Sequence, residues 1–205
     1  MFIKICGITS MEDAEHAVEQ GATALGFVFW PASPRYIAPD QAAAIVARVT
    51  SSVATVGVFV NESVPGIRRA VEQSGISTVQ LHGDEPISYA TELTQPLLRA
   101  LDVNDALTTQ WPLETTILLD AADRDRRGGT GNRVDWPKAR SVARARRMVL
   151  AGGLSPENVE AAVDEVGPWG VDVSSGVEAA PGVKDPARVT AFLERARLAF
   201  ERRGR

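Results

Sequence analysis

Eight short apolar runs, rich in β-branched and aromatic residues, recur along this chain and constrain its fold more than any other feature. They are FIKIC (2–6), ALGFVF (24–29), ATVGVFV (54–60), STVQLH (77–82), PLLRAL (96–101), TILLDA (116–121), RMVLAG (147–152) and WGVDVS (169–174). Between most of them apolar residues return at helical spacing, as in Ala14, Ala17 and Val18, or Ile67, Ala70 and Val71. Helix starts are signalled by Pro39 or Asp40 before 41–49, by Ser63 before the run to Gln73, and by Ser155-Pro156-Glu157 before 158–166.

Runs such as VGVFV and TILLDA are apolar at most positions, the pattern of parallel strands covered on both faces. Eight such strands with crossover helices predict an α/β protein, a closed (β/α)8 TIM barrel built as a single domain over 1–205. The competitor is an open doubly wound sheet. It is disfavoured by the strand count and by the first strand's exit, which reads C-G-I-T-S and lacks G-x-G-x-x-G. Segment 102–115 is short for two loops and a full helix, so the fifth crossover is predicted to be abbreviated.

Of the 205 residues, 44% are hydrophobic and 23% charged, enough to build a sizeable core. A net charge of −4 gives no reason to expect a nucleic-acid partner. Arg144, Arg146, Arg147 and the arginines of 195–205 lie among acidic and apolar residues and read as solvated helix faces. The single cysteine excludes an internal disulfide, and no Cys/His spacing suits zinc. With no signal core and no apolar run of about 20 residues, the expectation is a cytoplasmic protein without a membrane partner.

In a (β/α)8 barrel, chemistry gathers at the C-terminal ends of the strands. Cys6 ends the first run and is followed by Gly7, where backbone can approach a ligand. The plain alternative is an inert core thiol. A cysteine of ordinary pKa, about 8.5, needs a neighbouring positive group to act as a base near neutrality. Lys4, two residues back on the same side of the strand, either supplies that charge or pairs with a carboxylate. Asp120 closes four apolar residues, a costly place for a carboxylate unless it is paired or functional. Partial desolvation would suit it to general acid work, and an ion pair to Arg124 or Arg126 is the structural alternative.

Strands one and six stand across the mouth from one another, so Cys6 and Asp120 suit an acid and base pair working on one small substrate. They do not suit a nucleophile triad, since the only histidines are His16, placed in the first helix, and His82. Gln80 and His82 alternate inward as donors to substrate or as packing hydrogen bonds. Two glycine- and serine-rich exits, A-G-G-L-S-P-E-N and D-V-S-S-G-V-E, make Gly152, Gly153, Ser174, Ser175 and Gly176 candidates for holding a phosphate. Gly128, Gly129, Thr130 and Gly131 read as a loop closing over the site, or as a plain connection. Arg35, between prolines at the mouth in F-W-P-A-S-P-R, is placed to grip a carboxylate or stack on a ring.

Together these residues resemble the phosphoribosylanthranilate isomerase family of tryptophan biosynthesis. The resemblance is carried by K-I-C-G-I-T, G-F-V-F-W-P-A-S-P-R, V-Q-L-H-G, L-L-D with G-G-T-G downstream, L-A-G-G-L-S-P-E-N-V, and G-V-D-V-S-S-G-V-E with P-G-V-K-D. It implies an enzyme interconverting an aldose and a ketose, in an Amadori rearrangement of a phosphorylated aminosugar, with no metal or organic cofactor. Cys6 would then be the general base and Asp120 the general acid. Arg35 would hold the anthranilate end, and Asp172 would contact a substrate hydroxyl or the amine. Monomer and homodimer both stay open. A related barrel isomerase of the histidine pathway would carry aspartate where Cys6 stands, and a non-catalytic phosphate binder would make Asp120 a structural ion pair.

Overall fold

The parallel strands close on themselves in chain order, β1 (Phe2–Cys6), β2 (Ala24–Val28), β3 (Ala54–Phe59), β4 (Thr78–Leu81), β5 (Leu97–Leu101), β6 (Thr116–Leu119), β7 (Met148–Leu150) and β8 (Gly170–Val173), with β1 hydrogen-bonded to both β2 and β8. This computed structural model describes residues 1–49, 53–120 and 134–204. The crossovers carry α1 (Met11–Glu19), α2 (Pro39–Arg48), α3 (Val64–Ser74), α4 (Tyr89–Glu92), α5 (Val103–Thr108), α6 (Trp136–Ala145), α7 (Val159–Val166) and α8 (Pro186–Arg203). None of the helices among the described residues is long and apolar enough to cross a membrane.

Local chemistry starts most of these helices. Ser10 accepts from Asp13 N–H, Ser63 from Gly66 N–H and Asp135 from Lys138 N–H, each satisfying a donor that the first turn leaves over. The start of α7 departs from the sequence reading. A hydrogen-bonded turn occupies 156–158, Ser155 O accepts from Asn158 N–H and Val159 N–H, and Asn158 is the residue at the cap. The fifth crossover is short, six residues begun by Asp102. The fourth is shorter still at four residues, because Pro86 and Pro96 bracket it and no side chain caps it.

Side chains alternating along the strands make two layers of core. Outward residues such as Ile5, Leu25, Phe27, Leu81, Ile117, Leu119 and Val171 pack beneath the helices. Inward residues Ala24, Val56, Leu98, Ala100, Leu118, Val149 and Ala151 fill the barrel axis as a separate cluster. At the N-terminal end Phe2 stacks on Trp169 at 5.0 Å, and the Arg147 guanidinium lies 4.8 Å from the Trp169 ring.

Arg144, Arg147, Arg195, Arg197, Arg202 and Arg203 are exposed, as the reading of solvated faces expects, and Arg146 departs from it. α6 ends at Ala145, so Arg146 and Arg147 lie in the turn into β7. There Arg146 donates to the carbonyls of Trp111, Pro112 and Thr115, fastening the chain ahead of β6. His16 ties α1 to α8 through Pro186 O and Thr190 Oγ1. After β8 the chain makes an added antiparallel pair, β9 (Glu178–Ala180) and β10 (Val183–Lys184), which folds Lys184 back toward the mouth.

Candidate active site

The alternation that fills the axis continues upward to the C-terminal mouth. Lys4 and Cys6 on β1, Gln80 and His82 on and after β4, Asp120 after β6, and Asp172 and Ser174 on and after β8 share the inner face. Lys4 is fully buried at the centre of this group. Strand register sets it opposite Asp172, and its Nζ donates to Asp172 Oδ2 at 3.0 Å and to Gln80 Oε1 at 2.9 Å. Burial alone would lower its pKa, but the Asp172 and Cys6 charges outweigh that and hold the ammonium above its ordinary range.

Lys4 therefore pairs with a carboxylate and also acts on Cys6, and the balance at the thiol is informative. Burial pushes Cys6 up, Lys4 pulls it down, Asp172 pushes it up again, and the net position lies above the ordinary thiol range. The protein's own groups thus hold a neutral thiol at neutral pH. Alkylation of Cys6 by iodoacetamide is expected to be slow at pH 7 and still accelerating beyond pH about 9.5, a unit above the ordinary thiol pKa, where an ordinary thiol levels off. A rate that plateaus at or below that pH, measured by mass spectrometry of the intact protein, would contradict it.

Gly26 on β2 lies opposite Cys6, a role the sequence reading missed. A Cβ there would sit 2.7 Å from Cys6 Sγ and 2.9 Å from Lys4 Cε, so the glycine makes room for both side chains. A glycine inside an otherwise apolar strand was the available signal. Asp120 follows β6, its N–H donating to Leu101 O and its Oδ2 standing 3.3 Å from His82 Nε2. Arg124 and Arg126, the alternative partners for Asp120, lie outside the described residues, as do Gly128, Gly129, Thr130 and Gly131. His82 Nδ1 is 2.8 Å from Gln80 Nε2. The turn after His82 is pinned by Glu85, which accepts from Asn61 N–H and Gly83 N–H and from Arg99 Nη1 at 2.6 Å.

Arg35 reaches the mouth with its Nε and Nη2 edge already engaged. Glu178 accepts from both nitrogens, at 2.8 and 2.7 Å, in a bidentate pair. Glu178 also accepts from Lys184 Nζ at 2.8 Å, and Lys184 donates to Cys6 O at 2.6 Å. Burial would raise the Glu178 carboxyl, but Arg35 and Lys184 together hold it below the usual carboxylate range. The Arg35 side chain crosses Gly7, whose φ of +77° and lack of Cβ permit that approach. Glu178 and Lys184 were unassigned in the sequence. They lie in G-V-E and P-G-V-K-D, and only the β9–β10 pair brings them to Arg35.

Beside Asp120 a pocket opens over β7 and β8, lined by Gly152, Gly153, Asp172, Ser174 and Ser175. Gly152 and Gly153 both take left-handed backbone, φ +73° and +70°. Asn158 braces that turn, donating to Gly153 O and accepting from Ser155 N–H. Gly176 lets the β8 loop press on the β7 loop, since a Cβ there would overlap Leu154 O. Asp172 Oδ1 and Ser174 Oγ are buried at this pocket with no hydrogen-bond partner among the described residues. Buried polar atoms left in that condition are costly, and a ligand filling the pocket would satisfy them. Among the described residues, no three histidine, cysteine or carboxylate side chains gather as a metal site.

A closed parallel barrel with a thiol, an imidazole and carboxylates around its C-terminal mouth defines a (β/α)8-barrel enzyme. The family model described as "N-(5'phosphoribosyl)anthranilate (PRA) isomerase" matches residues 3–195. The chain belongs to that family and is an isomerase. An N-(5'-phosphoribosyl)anthranilate isomerase of Pelobacter propionicus is 44% identical over 205 residues, covering 98% of this chain and 96% of that one. The crystal structure of phosphoribosyl anthranilate isomerase from Thermotoga maritima superposes with a TM-score of 0.89 at 40% identity, covering 96% of this chain and 98% of that one. A solved complex of phosphoribosyl anthranilate isomerase with reduced 1-(o-carboxyphenylamino)-1-deoxyribulose 5-phosphate superposes with a TM-score of 0.83 at 40% identity, again covering 96% and 98%.

Proposed function

We propose that this chain, as one barrel domain in the cytoplasm, converts N-(5-phosphoribosyl)anthranilate to 1-(2-carboxyphenylamino)-1-deoxyribulose 5-phosphate, with Asp120 as general acid and Cys6 as general base. The observation that carries this reading is the pocket running from Asp120 to the β7 and β8 loops, with Asp172 Oδ1 and Ser174 Oγ along it, unpartnered among the described residues. A phosphate fits the glycine and serine end, held by Gly152, Gly153, Ser174, Ser175 and Gly176. The sugar then spans the mouth toward Asp120 and Cys6, with Gln80 and Asp172 lining its path. Arg35, steadied on one edge by Glu178, keeps Nη1 for the anthranilate carboxylate.

Asp120 gives its proton to the furanose ring oxygen as the C1–O bond breaks, and the anilinic nitrogen takes the cation as a Schiff base. Cys6 removes the proton from C2, the electrons move to nitrogen, and the enolamine tautomerises to the ketone. A thiol that is neutral before substrate arrives fits this order of events. The cationic Schiff base brings a positive charge to Cys6 only after ring opening; an adjacent cation favours thiolate, so the thiol proton passes to solvent at the mouth and the thiolate then takes the C2 proton. Because the substrate's own nitrogen carries the charge, an acid and a base side chain suffice.

The test is turnover by purified protein, followed through the fluorescence of the anthranilate group. Loss of the substrate signal with formation of the ketose product is the expected result. A saturable signal change with no product would make the protein a binder and overturn the proposal.

A further inference from the structure

Lys4, Gln80, His82 and Asp120 form a connected chain across the barrel interior, and its donors and acceptors can be assigned from chemistry alone. An ammonium has three donors and no acceptor, so the Gln80 atom facing Lys4 Nζ at 2.9 Å is the amide oxygen. The amide NH2 is then the group directed at His82 Nδ1, 2.8 Å away. An amide nitrogen only donates, so Nδ1 must accept and carries no proton. A neutral imidazole holds its one proton on the other nitrogen, Nε2, which stands 3.3 Å from Asp120 Oδ2.

We propose that Lys4, acting through Gln80, fixes His82 as the neutral imidazole protonated at Nε2, making Gln80 and His82 positioning residues for the acid Asp120. The proposal rests on the assignment of Asp120 as the acid. Its consequence concerns where that acid's proton goes. With an N–H directed at Oδ2, the acid proton of Asp120 is carried on Oδ1. His82 then presents no lone pair to Asp120 and cannot drain the proton. The opposite tautomer would turn a lone pair toward Asp120 and offer its proton an acceptor other than the substrate. Among the described residues, the other charged groups near His82 are Asp172 and, beyond Gln80, Lys4, both buried and paired with each other.

The imidazole nitrogen shifts of 15N-labelled protein read this directly, and the chain holds only two histidines, His16 and His82. Comparison with His16→Gln, a change on the α1–α8 contact, assigns the His82 signals. The expected pattern at neutral pH is a pyrrole-type Nε2 and a pyridine-type Nδ1. A protonated Nδ1, alone or with Nε2, overturns the proposal. Gln80→Glu offers only acceptors to both neighbours, so the His82 proton is expected at Nδ1, with kcat falling about tenfold or more and KM little changed, a partial loss of acid–base catalysis. Should Gln80→Glu not fold, Gln80→Met removes both hydrogen bonds and is expected to give a mixture of tautomers. A pure Nε2–H form in either variant overturns the proposal. The two readings fail separately: an unchanged kcat in Asp120→Asn removes the acid but not the tautomer, whereas the wrong tautomer leaves the Asp120 assignment standing.

Discussion

Asp120→Asn and Cys6→Ser are each expected to lower kcat by at least ~100-fold with much smaller changes in KM, the scale of losing a positioned acid or base. Asparagine keeps the shape and an oxygen for the His82 N–H but has no acid proton to give to the ring oxygen. Serine fits where Cys6 stands and leaves Gly26 its clearance, yet its hydroxyl is a far weaker base than a thiolate. Neither change touches Gly152, Gly153 or Ser175, so ground-state binding through the phosphate should persist. An effect on kcat that spares KM marks an interaction made in the transition state. Near-normal turnover in either variant, from steady-state kinetics at saturating substrate, would remove that residue from its role.

Lys4→Met should be among the most damaging single changes to stability. Methionine fills the space but leaves Asp172 buried without its cation and Gln80 Oε1 without its donor. Breaking a buried pair from one side costs about 3–5 kcal/mol. For a chain of this length that corresponds to a fall in Tm of roughly 6–20 °C. The pH dependence has a definite sign. Burial already raises the Asp172 carboxyl above its ordinary range with Lys4 present, and without Lys4 it rises further. A carboxyl raised in the folded state costs stability as pH climbs above its unfolded pKa of about 3.9, so the deficit of Lys4→Met should narrow on acidification toward that value. Lys4→Met/Asp172→Asn, which removes the stranded charge, should recover part of the loss. A Tm for Lys4→Met within about 2 °C of the parent, under 1 kcal/mol, would contradict the buried-pair account.

Much of the architecture was legible because it is written in local periodicity. Eight apolar runs with helical spacing between them supplied the strand count, and in a closed barrel the strand count leaves few alternatives. The alternation of period two put Cys6 with Lys4, and Gln80 with His82, on one side of their strands before any packing was known. Glycine and serine after β7 and β8 marked the pocket because those residue types are what close backbone approach requires. Arg146 was misread for the complementary reason. A guanidinium that fastens three carbonyls looks, in sequence, like one that faces water.

The amino-acid order by itself determined the barrel and the set of polar groups that its strands carry to the mouth. Which of those groups pair was decided only by closure. Lys4 meets Asp172 across 168 positions, and Arg35 meets Glu178 across 143, because β1 closes against β8 and the β9–β10 hairpin folds back over the mouth. The same closure decided the state of the thiol. A pKa depends on burial and on the charges within a few ångströms, and neither exists until the strands have come together, so a cysteine that the sequence could only flag emerges as a buried thiol held above the ordinary range.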